Sequence, residues 1–193
     1  MKRYNIIYAD PPWRYADKRA SAVTDRPQAY GGITYPTMEI EEMCNLPVKD
    51  ISETNAVLFM WATMPLLEQS FQVIKAWGFK YKTCAFVWVK TNGRNPRLFL
   101  MNVDIRSGLG SYTNANAELC LLATRGKYIE RERRDVKQVI FAPVERHSQK
   151  PAEARERIIA MYGEVPRVEL FARKRVDGWD AWGNEVESDL VMV

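Results

Sequence analysis

Tyr4-Asn5-Ile6-Ile7-Tyr8-Ala9-Asp10-Pro11-Pro12-Trp13 is the stretch on which the reading of this chain turns. Its first six residues are an apolar, β-prone run, and Asp10 sits where a buried strand ends. Two adjacent prolines fix two φ angles and remove two backbone donors, so the turn is stiff and its carbonyls are expected to stay free. A carboxylate, a rigid carbonyl and an aromatic face then lie within four residues. That set suits a planar ring carrying an exocyclic NH2. Asp10 and the Pro11 carbonyl accept its two hydrogens, while Trp13 or a nearby ring stacks on the base. Bonds to both hydrogens draw the nitrogen lone pair out of conjugation and turn a poor nucleophile into a usable one. On the tetrapeptide alone, a strand followed by a Pro-Pro turn with a core Trp is an equally good reading.

The 193 residues are enough for one domain with a substantial core and too few for two comfortable ones. An apolar fraction of 47% and a charged fraction of 27% are ordinary for a soluble globular protein. No stretch approaches a membrane span, and Met1-Lys2-Arg3-Tyr4 runs straight into a strand rather than a signal peptide. The three cysteines, Cys44, Cys84 and Cys120, are far apart and form no Cys-x-x-Cys, which argues against disulfide or zinc frameworks and fits a reducing, cytoplasmic setting. A single histidine, His147, excludes a histidine-rich metal site. The net charge of +4 is compatible with nucleic acid without demanding it.

Outward from the first strand, the chain alternates. Arg14 to Gly32 is polar, with Lys18, Arg19, Arg26 and a Gly31-Gly32 pair. It leaves from the proposed site and reads as a substrate clasp. A short helix is expected over Met38 to Asn45, capped by Thr37 and ended by Pro47. Ala56 to Trp61 is a continuous apolar strand. Pro65 to Trp77 has Leu67, Phe71, Ile74 and Trp77 at helical spacing, with Gly78 placed to end the helix. Strands are expected at Tyr81 to Lys90, Ala117 to Thr124, Val139 to Ala142 and Val168 to Arg173, and a helix from Pro151 to Tyr162. Thr91 to Asn116 is a second long polar segment and a candidate substrate loop. The mixed charges from Tyr128 to Arg134 read as a solvated surface. This alternation predicts an α/β fold with a mostly parallel sheet, whose ligands lie beyond the carboxyl ends of the strands. Asp10 to Trp13 and the residues after Arg173 both follow strands, so they can face one crevice from opposite ends of the sequence.

Several blocks in order carry a resemblance. Asp10-Pro11-Pro12-Trp13 is followed by Tyr35-Pro36-Thr37-Met38, Asn45-Leu46-Pro47-Val48, Leu58-Phe59-Met60-Trp61, Trp77-Gly78-Phe79 and Trp88-Val89-Lys90-Thr91-Asn92. Then come His147-Ser148-Gln149-Lys150-Pro151, Glu169-Leu170-Phe171-Ala172-Arg173 and Gly183-Asn184-Glu185. The chain resembles the family of the messenger-RNA adenosine N6-methyltransferase and its prokaryotic and phage DNA-adenine methyltransferase relatives. The resemblance implies a single methyltransferase domain over residues 1–193, a doubly wound, Rossmann-like fold, circularly permuted so that the catalytic motif comes first. Residues 1–63 would hold the catalytic motif region, 91–116 the substrate loop and 147–185 the cofactor-binding segment.

Carried over by position, Asp10, Pro11, Pro12 and Trp13 would be catalytic. S-adenosyl-L-methionine would be held by Asp10, Lys150, Glu169, Phe171, Arg173, Asn184 and Glu185, and the target base by Tyr35, Glu118 and Ser148. The chemistry of each type is sound: carboxylates bind ribose hydroxyls, Asn184 can both donate and accept, and Lys150 can meet a carboxylate. Taken singly, Lys150 and Arg173 would be surface charges and Glu169 an edge-strand residue. There are departures. Larger relatives carry an acidic adenine contact before the first strand, whereas nine residues precede Asp10 here, so that contact is expected to come from elsewhere, with Glu185 as a candidate, or to be lost. Lys174-Arg175 stands where the messenger-RNA enzyme has His-Asn.

The implied reaction is in-line methyl transfer to N6 of a flipped adenine, with no metal and no covalent enzyme intermediate. DNA is the expected substrate, with RNA adenosine the alternative. A non-catalytic nucleic-acid-binding subunit and a protein amide methyltransferase are the competing classes. No separate target-recognition domain is visible, so sequence choice would fall to the two long loops, a homodimer or a second subunit.

Overall fold

The computed structural model describes residues 2–14, 36–92, 105, 106, 108, 112–145 and 149–192. The expected alternation is present. In chain order come β1 (Tyr4–Ala9), α1 (Ile40–Asn45), α2 (Val48–Ile51), β2 (Ser52–Ala62), a 3-10 turn (Met64–Leu66), α3 (Leu67–Ala76) and β3 (Lys80–Thr91). They are followed by β4 (Ala117–Arg125), β5 (Val139–Pro143), α4 (Ala152–Tyr162), β6 (Arg167–Leu170) and β7 (Asp180–Trp182). The seven strands among the described residues form one sheet in the order β5-β3-β4-β2-β1-β6-β7.

The sheet is mixed rather than uniformly parallel. β1 pairs in parallel with both β2 and β6, β3 with β5, and β6 with β7, whereas β4 runs antiparallel to both neighbours, β2 and β3. One reversed strand among six co-directional ones has a consequence for the site. The start of β4 lies at the same edge as the ends of the others, so Glu118 stands opposite Trp88 near the end of β3. β1 lies between β2 and β6, and the chain crosses from one side of it to the other through α4. This is the switch in strand order beyond which ligands bind in open α/β sheets.

Period-two alternation sends β1 and β2 side chains to two cores. Ile7, Ala9, Leu58, Met60 and Ala62 pack with Met43 of α1, Val48 of α2, and Val73 and Ile74 of α3. Ile6, Tyr8, Val57, Phe59 and Trp61 pack with Phe86, Trp88 and the Ala154, Ile158 and Tyr162 face of α4. Helices therefore cover both faces. The Trp77 indole N–H donates to the Met43 carbonyl at 2.7 Å, locking α3 to α1.

Element boundaries moved where local chemistry outweighed the pattern. Thr37 does not cap α1; Glu39 is the N-cap residue and its N–H is accepted by the Glu42 carboxylate at 2.8 Å. The strand expected through Arg173 stops at Leu170, because Phe171 takes φ 61°. β7 was not expected at all. Gly126, at φ 68°, turns the chain after β4 so tightly that a Cβ there would meet the Thr54 carbonyl oxygen at 2.1 Å and Asn55 Oδ1 at 2.4 Å. Gly126→Ala is expected to lose about 2–4 kcal/mol, from left-handed backbone strain plus that clash, measured by urea denaturation. An unchanged midpoint would show that the turn relaxes freely.

Candidate active site

The turn after β1 is pinned on three sides. The Asp10 N–H donates to the Leu170 carbonyl of β6 at 3.4 Å, the Met38 N–H donates to the Pro12 carbonyl at 2.9 Å, and the Trp13 indole N–H donates to the Trp61 carbonyl at 3.1 Å. Trp13 and Met38 form a parallel bridge, which brings the described residues after β1 beside those that lead into α1. The clasp expected there, and Tyr35 with it, lie outside the described residues, as does Ser148.

Two expectations for the tetrapeptide need correction. Its carbonyls are not free: that of Pro11 accepts the Trp13 N–H at 2.9 Å and that of Pro12 accepts Met38. A carbonyl oxygen has two lone pairs, so Pro11 retains capacity for one further donor. Trp13 is 4% exposed and packed in the core, so its ring holds the turn to β2 rather than offering a face to a base.

Lys150, far from being a surface charge, is 7% exposed. Its Nζ lies 2.7 Å from both Asp10 Oδ1 and Oδ2, and 3.3 Å from Glu118 Oε2. Glu118 Oε1 in turn lies 2.5 Å from Lys90 Nζ. The Lys150 ammonium sits 5.7 Å from the Trp61 ring centre and that of Lys90 5.3 Å from the Trp88 ring centre. The two indoles meet edge to face at 6.3 Å. Two carboxylates and two ammoniums thus alternate over an aromatic floor, each charge with an opposite neighbour. Burial pushes the Asp10 carboxyl above its ordinary value, with Lys150 pulling the other way. Burial also opposes ionising Glu118, but Lys150 and then Lys90 outweigh it and hold that carboxyl below its ordinary value. Lys150 is desolvated too, yet Asp10 and Glu118 keep its ammonium above the ordinary lysine range.

On the other side of β1, Glu169 is central in β6, not at an edge. Both of its oxygens accept from Arg155 of α4, at 2.7 Å from Nε and 2.6 Å from Nη2. The Arg155 guanidinium lies 5.3 Å from the Tyr8 ring centre, and Tyr8 Oη accepts the Trp61 indole N–H at 2.7 Å. Trp61 and Tyr8 therefore join the lysine cluster to the Arg155–Glu169 pair beneath the edge. Phe171 takes its positive φ directly after β6 and stacks edge to face on Trp182 at 5.4 Å. A non-glycine residue held there costs about 1–3 kcal/mol, the kind of strain that gathers at binding segments. Arg173, in the segment after β6, pairs at 2.7 Å with Glu185 in the segment after β7. Gly183 permits this approach, since a Cβ there would meet the Ala172 carbonyl oxygen at 2.2 Å.

The structure therefore brings Asp10, Lys150 and Glu118 into contact and places Glu169, Phe171 and Arg173 along and beyond the end of adjacent β6. Lys90, Trp61, Tyr8 and Arg155 belong to the same assembly and were not singled out from sequence. Two hollows, of about 350 and 410 Å³, lie away from this edge, between β3, β4 and α4 and beside Phe71 and Tyr81. Neither contains any of these residues.

The model of the family described as MT-A70 matches residues 4–185. The chain belongs to the MT-A70 family. Among curated proteins it is 33% identical over 204 residues to the Type II methyltransferase M.MunI of Mycoplasma sp, covering 100% of this chain and 82% of that protein. It is 27% identical over 190 residues to the N(6)-adenosine-methyltransferase MT-A70-like protein of Drosophila melanogaster, covering 97% of this chain and 28% of that one. It is 31% identical over 126 residues to the N6-adenosine-methyltransferase non-catalytic subunit MTB of Arabidopsis thaliana, covering 64% of this chain and 14% of the subunit. Membership of this methyltransferase family agrees with the motif blocks, which resemble messenger-RNA and DNA N6-adenine methyltransferases.

Proposed function

We propose that this MT-A70 protein methylates N6 of adenine in DNA, using S-adenosylmethionine, on a base flipped into the space over Asp10. The observation that carries the reading is the Asp10 carboxylate, directly after β1, fixed by both oxygens on a buried Lys150. Asp10 accepts one amino hydrogen and the Pro11 carbonyl, through its second lone pair, the other. Both bonds orient the nitrogen lone pair away from the ring. Lys150 keeps Asp10 in one rotamer, so catalysis here is alignment and exclusion of water.

The residues present fit the cofactor. Glu169, with two oxygens and about four lone-pair sites, can accept ribose hydroxyls while Arg155 holds it. Asn184 offers a donor and an acceptor, and the close backbone approach at Gly183 shapes the adjoining turn. Phe171 supplies an aromatic face beside Arg173 and Glu185. S-adenosylmethionine, when bound, supplies an electrophilic methyl group on a sulfonium. Under this reading residues 1–193 are one methyltransferase domain of the doubly wound class with permuted motif order, supported by the central place of β1 between β2 and β6.

DNA is preferred over RNA because the chain is 33% identical to the type II methyltransferase, against 27% to the adenosine methyltransferase relative. Incubation with labelled S-adenosylmethionine and matched DNA and RNA oligomers tests this. N6-methyladenine is expected in the DNA digest, and label confined to RNA would overturn the preference. The similarity to a non-catalytic subunit favours a second reading, in which the fold presents nucleic acid without transferring methyl groups. Calorimetric binding of S-adenosylmethionine distinguishes the two, since the second reading requires none.

A further inference from the structure

We propose that Lys90 is a positioning residue of this site: its ammonium holds Glu118 so that Lys150 stays centred on the two oxygens of Asp10. The inference rests on the methyltransferase reading above for its kinetic consequence, but not for its geometry.

Lys150 has two carboxylates to choose between, and the choice is asymmetric. It lies 2.7 Å from each Asp10 oxygen and 3.3 Å from Glu118. Glu118 makes its shorter contact, 2.5 Å, with Lys90. Lys90 is itself held rigidly. Its N–H donates to the Asn116 carbonyl at 2.8 Å, its carbonyl accepts the Arg106 N–H at 2.9 Å, and its ammonium packs over Trp88. The Trp88 indole N–H is fixed on the Ala142 carbonyl at 2.9 Å, so the floor beneath Lys90 is anchored to β5. Among the described residues the cluster balances, two positive against two negative charges. Without Lys90, one ammonium would have to serve two half-buried carboxylates. Coulomb attraction would then draw Lys150 toward Glu118 and loosen its hold on Asp10. Lys90 needs no contact with substrate or cofactor to have this effect.

The test compares wild type, Lys90→Met and Lys90→Arg. Lys90→Met is expected to lower kcat about tenfold, in the range of couplings between residues of one charge network, with KM for S-adenosylmethionine unchanged. Lys90→Arg, which keeps the charge, recovers part of the loss. The salt dependence of DNA binding is expected to stay the same in Lys90→Met. A phosphate-binding lysine would reduce that slope by about one on a logarithmic scale and leave kcat alone, and that result would overturn the proposal. A readout without catalysis is the carboxyl titration of Asp10 by carbon-13 NMR. Its midpoint is expected to rise in Lys90→Met, as Lys150 becomes shared. An Asp10 midpoint that stays fixed while that of Glu118 moves also overturns it. If wild type transfers no methyl group to any nucleic acid, the proposed activity fails while the titration still decides the role of Lys90.

Discussion

Asp10→Ala is expected to reduce methyl transfer at least about a thousandfold, with S-adenosylmethionine binding weakened far less. The size follows from what one carboxylate does here. It supplies an acceptor for the amino group, fixes the direction of the nucleophile and keeps Lys150 in place, and losses of alignment and of preorganised polar contacts each reach factors of a hundred or more. The fold should survive. Lys150 keeps Glu118 as a partner in the variant, so the full penalty for stranding a buried charge does not apply. A loss of about 1–3 kcal/mol is expected by urea denaturation. Asp10→Asn separates the roles further, since it retains an acceptor oxygen but not the charge that holds Lys150. Single-turnover rates on an adenine-containing oligomer, with cofactor affinity measured in parallel, provide the check. Transfer at the wild-type rate in Asp10→Ala would remove Asp10 from the chemistry and with it the reading of the whole edge.

What was legible in the chain was whatever depends on residues near one another in sequence. Tyr4 to Ala9 is an apolar run that follows Lys2-Arg3 and is closed by Asp10 and two prolines, and β1 has those bounds. Leu67, Ile74 and Trp77 share a helical face, with Gly78 following at φ 80°, whereas Phe71, expected with them, is exposed and packs edge to face on Tyr81. The reversal of β4 was not legible, because a buried strand has the same composition in either direction and only its register with β2 and β3 shows which way it runs. The fate of charged residues was hidden for the same reason. Lys150 was found only through its motif block, since nothing local says that Asp10 and Glu118 converge on it. Lys90 ended an expected strand, and Lys90, Trp61 and Trp88 stood in motif blocks without a role, although the two indoles form the floor on which Lys90 and Lys150 sit. A signal for Arg155 did exist. It lies on the buried stripe of α4 with Ala154, Ile158 and Tyr162, where a cation must have an anionic partner. The positive φ of Phe171 left no trace, since an aromatic residue in that conformation is rare enough that no pattern predicts it.

The largest stability effect is expected at that arginine. Arg155 and Glu169 have side chains 9% and 8% exposed, and they meet through two parallel N–H to oxygen bonds. Arg155→Met leaves Glu169 charged, buried and without its guanidinium, at a cost of about 3–5 kcal/mol. For a chain of this size that corresponds to a fall in melting temperature of roughly 8–15 °C. Removing both charges should behave differently. In Arg155→Met combined with Glu169→Leu no carboxylate remains to desolvate, and most of the lost stability is expected to return, because apolar replacements of buried ion pairs are often neutral. Cofactor affinity should not return with it, since the oxygens proposed to accept the ribose hydroxyls are gone. The two measurements, thermal unfolding and calorimetry with S-adenosylmethionine, therefore move together in the single variant and separate in the double. If affinity recovered along with stability, Glu169 would be a purely structural partner of Arg155, and the ribose contact would have to be sought among Arg173, Asn184 and Glu185.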